Sequence, residues 1–175
     1  RFFGHPTVLL GRDDGTFGAP TDIAIESVTP YTLDLVDFNG DLRTDLLWKQ
    51  SGTGATAVWL MNGGVTLATQ PLSADGAWII ALVGDTNGDA KSDIVWRSNQ
   101  GVTALWLMNG LSPGATGILS GDAAWSVTRM ADFNGDGKAD LLWQGTSGAS
   151  AIWLMNGLLP SSSTVIAGDP AYSVT

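Results

Sequence analysis

Three stretches of this chain concentrate oxygen-bearing side chains at a spacing that suits a hard cation. They read DFNGDLRTDLLW at 37–48, DTNGDAKSDIVW at 85–96 and DFNGDGKADLLW at 132–143. Each places acid, Asn, acid and acid at positions 1, 3, 5 and 9 and then turns at once into a short apolar run. Alternate oxygen donors on a tight loop converge while the intervening residues point away. Ca²⁺ takes about six to eight oxygens at roughly 2.3–2.6 Å, and positions 1, 3, 5, 7 (through its carbonyl) and 9 can supply most of them. The Asn-Gly pairs Asn39-Gly40, Asn87-Gly88 and Asn134-Gly135 give each loop a place to take positive φ. An EF-hand is excluded, because it needs a bidentate Glu at position 12, where Trp48, Trp96 and Trp143 stand. The competing reading is a set of Asx-rich turns that never meet a metal. Nine carboxylates would then crowd three short loops, offset locally by Arg43, Lys91 and Lys138 alone.

The elements that must hold these loops are legible in a longer repeat. Trp59-Leu60-Met61-Asn62-Gly63 returns as WLMNG at 106–110 and 153–157, and Trp78 and Trp125 each stand seven residues before a loop. Tyr172 holds the same place near the C-terminus. Loop spacings of 48 and 47 residues, with several turn signals inside each, indicate a blade or solenoid unit. Four strands are expected per period, in the first about 45–50, 55–61, 65–70 and 78–83, with the Asn-Gly of WLMNG as a hairpin signal between the second and third. Leu46-Leu47-Trp48 and 57–61 are apolar on successive residues, which predicts sheets covered on both faces. No segment carries a sustained helical period. The spans divide into a partial repeat at 1–35 and repeats at 36–83, 84–130 and 131–175. In the partial one, 6–11 and 17–25 read as strands, Asp13-Asp14-Gly15 as a turn and 31–36 as a third strand. The chain begins at Arg1 and both ends fall inside a unit, so it is expected to be part of a larger propeller or assembly.

The loop DxNGDxxxD with its aliphatic pair, and LLGRDDGTFGAP upstream with Phe17-Gly18-Ala19-Pro20 inside it, resembles the FG-GAP/VCBS repeat of integrin α-subunit propellers and many secreted bacterial proteins. The resemblance implies all-β, propeller-type blades of four antiparallel strands, each with calcium in a hairpin loop. Carried over by position, three Ca²⁺ sites would use Asp37, Asn39, Asp41 and Asp45; Asp85, Asn87, Asp89 and Asp93; and Asp132, Asn134, Asp136 and Asp140. Arg43, Lys91 and Lys138 would coordinate through their main-chain carbonyls. The family usually closes about seven blades, roughly 330 residues at this period, whereas three full repeats and a partial one are present here.

Composition narrows the function classes. The 175 residues are 44% apolar and 14% charged, with net charge −9, 23 Gly and 8 Trp. The eight Lys and Arg are scattered singly, which leaves no footprint for nucleic acid. No apolar run is long enough for a transmembrane helix. Cysteine is absent, so the redox compartment is not legible from disulfides. Open calcium loops of this kind suit the extracellular modules that bind at about 10⁻⁴–10⁻³ M. The single His5 and the lack of Cys leave no machinery for nucleophilic catalysis. Outside the loops, Asp13, Asp14, Asp22, Glu26, Asp34, Asp75, Asp122 and Asp169 read as having no repeated spacing. The expectation is therefore a non-catalytic, secreted or cell-surface adhesion or recognition module with an extracellular protein or glycan as partner. Two alternatives stand beside it: a lectin that stacks sugars on exposed Trp, and a structural subunit that assembles with other copies of itself. The eight indoles could equally serve packing between blades.

Overall fold

A computed structural model describes residues 31–50, 53–73 and 75–166, together with the two-residue strands β1 (Thr7–Val8) and β2 (Thr21–Asp22). Among the described residues every regular element is a strand. Three four-stranded antiparallel meanders follow one another along the chain. The first contains β3 (Tyr31–Val36), β4 (Asp45–Gln50), β5 (Thr56–Asn62) and β6 (Val65–Ser73). The second contains β7 (Trp78–Gly84), β8 (Asp93–Ser98), β9 (Thr103–Asn109) and β10 (Ser112–Ser120). The third contains β11 (Trp125–Ala131), β12 (Asp140–Gly145), β13 (Ser150–Asn156) and β14 (Leu159–Ile166). These are blade-like sheets of the expected class. Of the N-terminal partial repeat, β1 and β2 pair as Thr7↔Asp22 and Val8↔Thr21. The third strand of that reading, 31–36, is β3; the remainder, with His5, Tyr172 and Asp169, lies outside the described residues.

The sheets are phased differently from the period as the sequence presents it. Trp78–Gly84 pairs with Asp93–Ser98, not with the strand before it, and Tyr31–Val36 pairs with Asp45–Gln50. The acidic loop therefore joins the first two strands of one sheet. The cause is local: a loop that turns the chain sharply returns it antiparallel beside the strand it has just left. The WLMNG hairpin is also shifted by one residue. Asn62, Asn109 and Asn156 are the last residues of their strands, and Gly63, Gly110 and Gly157 open the two-residue turns with φ of 60°, 67° and 71°. Their second turn residues are not in the left-handed region, which is the II′ pattern and calls for Gly first.

The apolar pairs on β4, β8 and β12 face both ways, so every sheet has two apolar faces. One carries Trp48, Trp96 or Trp143 and the other Leu47, Val95 or Leu142. Phe38, Leu47 and Val58 of the first sheet pack on Ile94, Trp96, Ala104 and Met108 of the second. Val95 and Leu105 on the opposite side of the second pack on Leu141, Trp143, Ala151 and Met155 of the third. The first strands of successive sheets lie together, and a Cβ added to Gly84 would run into Met130 Sδ. Lys49 on β4 donates to the Trp78 carbonyl and Arg97 on β8 to Ser126 Oγ, each crossing to the next sheet's first strand. Among the described residues no helix is long and apolar enough to cross a membrane.

Leu105 is fully buried between the second and third sheets. Leu105→Ala is expected to cost about 2–5 kcal/mol, measured as a lowered midpoint with an unchanged slope in urea unfolding. A loss below about 1 kcal/mol would mean that these sheets do not pack as one core.

Candidate metal-binding loops

Each loop is built inward from its first acid. Asp37 Oδ1 accepts the Asn39 and Gly40 N–H groups at 3.2 and 2.7 Å, and Oδ2 accepts Leu42 N–H at 2.8 Å. Asp85 gathers Asn87, Gly88, Asp89 and Ala90, and Asp132 gathers Asn134, Gly135, Asp136 and Gly137, through the same two oxygens. The Asn at position 3 accepts the N–H of position 5 at 3.0 Å in all three loops. The acid at position 5 accepts the N–H of position 7 at 2.9 Å in all three. Positions 1, 3 and 5 are thus brought onto one turn. The Gly137 N–H, followed by Gly135, Asp136 and Asn134, holds the Asp132 carboxyl below the usual carboxylate range, and the Lys138 N–H does the same for Asp136.

The turn reverses through two left-handed residues. Gly40, Gly88 and Gly135 at position 4 take φ near 80°, and at position 6 Leu42 (62°), Ala90 (64°) and Gly137 (83°) follow. Only loop 3 meets the second demand with Gly. The side chains at position 7 stay near the loop mouth. Arg43 pairs with Asp41 at 3.2 Å, Lys138 lies 3.7 Å from Asp136, and Lys91 Nζ donates to Asn109 Oδ1 at 2.9 Å.

Position 9 is different. Asp45, Asp93 and Asp140 are fully buried at the start of the second strand. One oxygen accepts the N–H of position 2, from Phe38, Thr86 or Phe133, at 2.9 Å in each loop. The other accepts an N–H from the third strand, from Met61, Met108 or Met155, at 2.8–3.0 Å. Continued along the register of β4 and β5, Met61 would stand opposite Thr44, just before β4 begins. The carboxylate therefore supplies the acceptor that the ladder lacks. Burial pushes the Asp45 carboxyl up, opposed by the Met61 and Phe38 N–H groups and aided by the charges of Asp37 and Asp41. Burial also raises Asp93, against its bonds from Thr86 and Met108, with Asp85 adding to the rise.

These donors suit a hard cation in kind. Positions 1, 3 and 5 offer only oxygen, and each carboxylate has about four acceptor sites, so lone pairs remain after the N–H bonds are counted. Asp37, Asn39 and Asp41, their counterparts in loops 2 and 3, and the carbonyl at position 7 are the groups that would hold Ca²⁺. The position-9 acids are already committed to backbone donors. Among the described residues no three acidic groups converge closely enough to enclose an ion by themselves.

Sequence reasoning missed three things. The buried bridging role of position 9 was signalled by its place directly before the apolar run. Asp75 and Asp122, read as unpatterned, stand 47 residues apart and each accepts the N–H two residues on, from Ala77 or Ala124, at 2.8 Å. They are Asx turns that launch the first strand of the next sheet, and the spacing alone would have found them. The third is a set of bonds between loops. The Asp37 carbonyl accepts Ser92 N–H and the Asp85 carbonyl accepts Ala139 N–H, both at 2.6 Å. The Phe38 carbonyl likewise accepts Gly110 N–H, and the Thr86 carbonyl Gly157 N–H.

Two substitutions probe the loop frame. Asp93→Ala leaves the Thr86 and Met108 N–H groups buried without their acceptor and is expected to cost about 3–5 kcal/mol, equally in calcium and in chelator. Leu42→Gly removes a left-handed strain of about 1–2 kcal/mol from an exposed side chain, at an entropic cost of about 0.5–1 kcal/mol. It should raise the urea midpoint slightly, and a lowered midpoint would contradict the strain.

Residues 85–143 match the FG-GAP-like repeat family, from the second loop through the third to Trp143. No curated protein matches the chain. The same loop and a sheet of the same order precede that match at 31–73, and the chain carries an FG-GAP-like repeat at residues 85–143.

Proposed function

We propose that the chain is a non-catalytic, extracellular recognition module whose blades are stiffened by three bound Ca²⁺ ions. The observation that carries this reading is the turn shared by positions 1, 3 and 5, built alike three times with oxygen donors only. Two acids meet on each turn beside the buried acid of position 9, and a cation offsets the repulsion that they would otherwise keep. Calcium bound to the folded state alone stabilises by mass action, about 2.7 kcal/mol for one site at a hundred times its dissociation constant. Sites at about 10⁻⁴–10⁻³ M fill in extracellular calcium, and this supports a place outside the cell. The partner would be a protein or a glycan met by the loops and turns at the ends of the sheets.

The tryptophans do not favour the lectin alternative. Trp48, Trp96 and Trp143 are buried and lie at 5.2, 5.1 and 4.8 Å, centroid to centroid, from Trp59, Trp106 and Trp153. Trp78 and Trp125 pack against the cores between sheets. All eight indoles are thus engaged in packing.

Asp89 is exposed, and its Oδ1 accepts only Lys91 N–H. Asp89→Ala should lower the thermal midpoint in millimolar Ca²⁺ and leave it nearly unchanged in chelator. Equal losses in both conditions would remove loop 2 from the calcium sites.

A further inference from the structure

The three loops are not independent hairpin tips. The carbonyl of position 1 in one loop accepts the N–H of position 8 in the next, Asp37 to Ser92 and Asp85 to Ala139. Position 8 directly follows the carbonyl that would ligate at position 7 and precedes the buried acid of position 9. The carbonyl of position 2 accepts the Gly N–H that opens the next sheet's WLMNG turn, Phe38 to Gly110 at 2.8 Å and Thr86 to Gly157 at 3.0 Å. That Gly lies two residues beyond the Met whose N–H is held by the position-9 acid. The position-4 glycines close the remaining gap, since a Cβ on Gly40 would meet Lys91 Cγ at 3.6 Å and one on Gly88 would meet Lys138 Cγ at 3.4 Å. Phe38 and Thr86, at position 2, are fully buried under the following sheet, whereas Phe133 is 44% exposed. The chain of contacts thus runs from loop 1 through loop 2 to loop 3.

We infer that the three loops form one coupled array, in which order imposed on one loop is transmitted to its neighbours through these backbone bonds. Each loop has an ordered state, and part of that order is supplied by the carbonyls of the loop before it. A loop that loosens releases two acceptors from the next. A cation that fixes one loop therefore raises the affinity of the adjacent loops, and the effect is reciprocal. Loop 2, bonded on both sides, is the centre of the array. The calcium part of this inference rests on the function proposed above; the coupling itself rests on the bonds between loops.

The experiment has a metal-free arm and a metal arm. In chelator, site-resolved amide exchange is followed in Asp85→Ala, which removes the acceptor of four loop N–H groups, and in the milder Asp89→Ala. Coupling predicts faster exchange at Ala139 and Met155 in the third sheet, within the roughly 5–150-fold range of typical couplings. Gly145, bonded to the Ala149 carbonyl at the far end of that sheet, should keep its wild-type rate. Unchanged Ala139 and Met155 in both variants would overturn the coupling. In the metal arm, calcium is titrated calorimetrically into the wild type and into Asp136→Ala. Coupling predicts a Hill coefficient above 1 and weaker binding at the two remaining loops of the variant, most at loop 2. Three sites that fill independently, with two left unaltered in the variant, would overturn the coupling and leave the calcium reading standing. Absence of any calcium uptake would overturn the calcium reading, and amide exchange alone would then decide the coupling.

Discussion

The fold depends most on a buried carboxylate that serves two backbones at once. Asp45, Asp93 and Asp140 each take one N–H from the loop before them and one from the third strand of their own sheet. Burying a charge is costly unless every lone pair finds a donor, and here the donors are main-chain groups that would otherwise be orphaned. The acid therefore fixes where the loop ends, where the second strand begins and how far the third strand extends. Hydrophobic burial between sheets supplies most of the driving force. The carboxylate decides the register in which that burial is realised.

The same economy governs the loop itself. A turn of eight residues exposes several N–H groups with no ladder partner, and the acids of positions 1 and 5 and the Asn of position 3 accept them in an order that repeats three times. The Asx-turn and cation-loop readings of this motif call on the same side-chain oxygens. The N–H bonds use part of each carboxylate's acceptor capacity, and the lone pairs left over are those that an ion would take. The backbone cost is visible as well: Leu42 and Ala90 hold left-handed φ where loop 3 has Gly137. That cost is tolerated because Asp37 and Asp85 each reach forward to the residue that bears it.

Much of this was legible in the sequence, for physical reasons. The threefold DxNGDxxxD fixed the loops, because alternate polar residues with Asn-Gly leave few other conformations. Apolar residues on successive positions of β4 and at 57–61 of β5 announced sheets covered on both faces; Leu46, Leu47 and Trp48 are buried accordingly, and on β5 Val58 and Met61 are. Sheet phase was less legible. A repeat can be cut anywhere along its period, and only hydrogen bonding shows that Trp78–Gly84 opens a sheet. The role of position 9 was hidden by its likeness to the other acids, and the bonds between loops were hidden because main-chain carbonyls carry no sequence signal.

The proposed function requires that the loops hold calcium in the folded protein. Tryptophan fluorescence during thermal unfolding, in millimolar Ca²⁺ and then in excess chelator, tests it most directly. Trp48, Trp96 and Trp143 lie three residues beyond the position-9 acids and are buried, the last two between sheets, so they report the transition without an added probe. A midpoint that falls by several degrees on chelation and returns with added Ca²⁺ is the predicted result. Coincident transitions in the two conditions would contradict it and leave the loops as turns held by their own backbone.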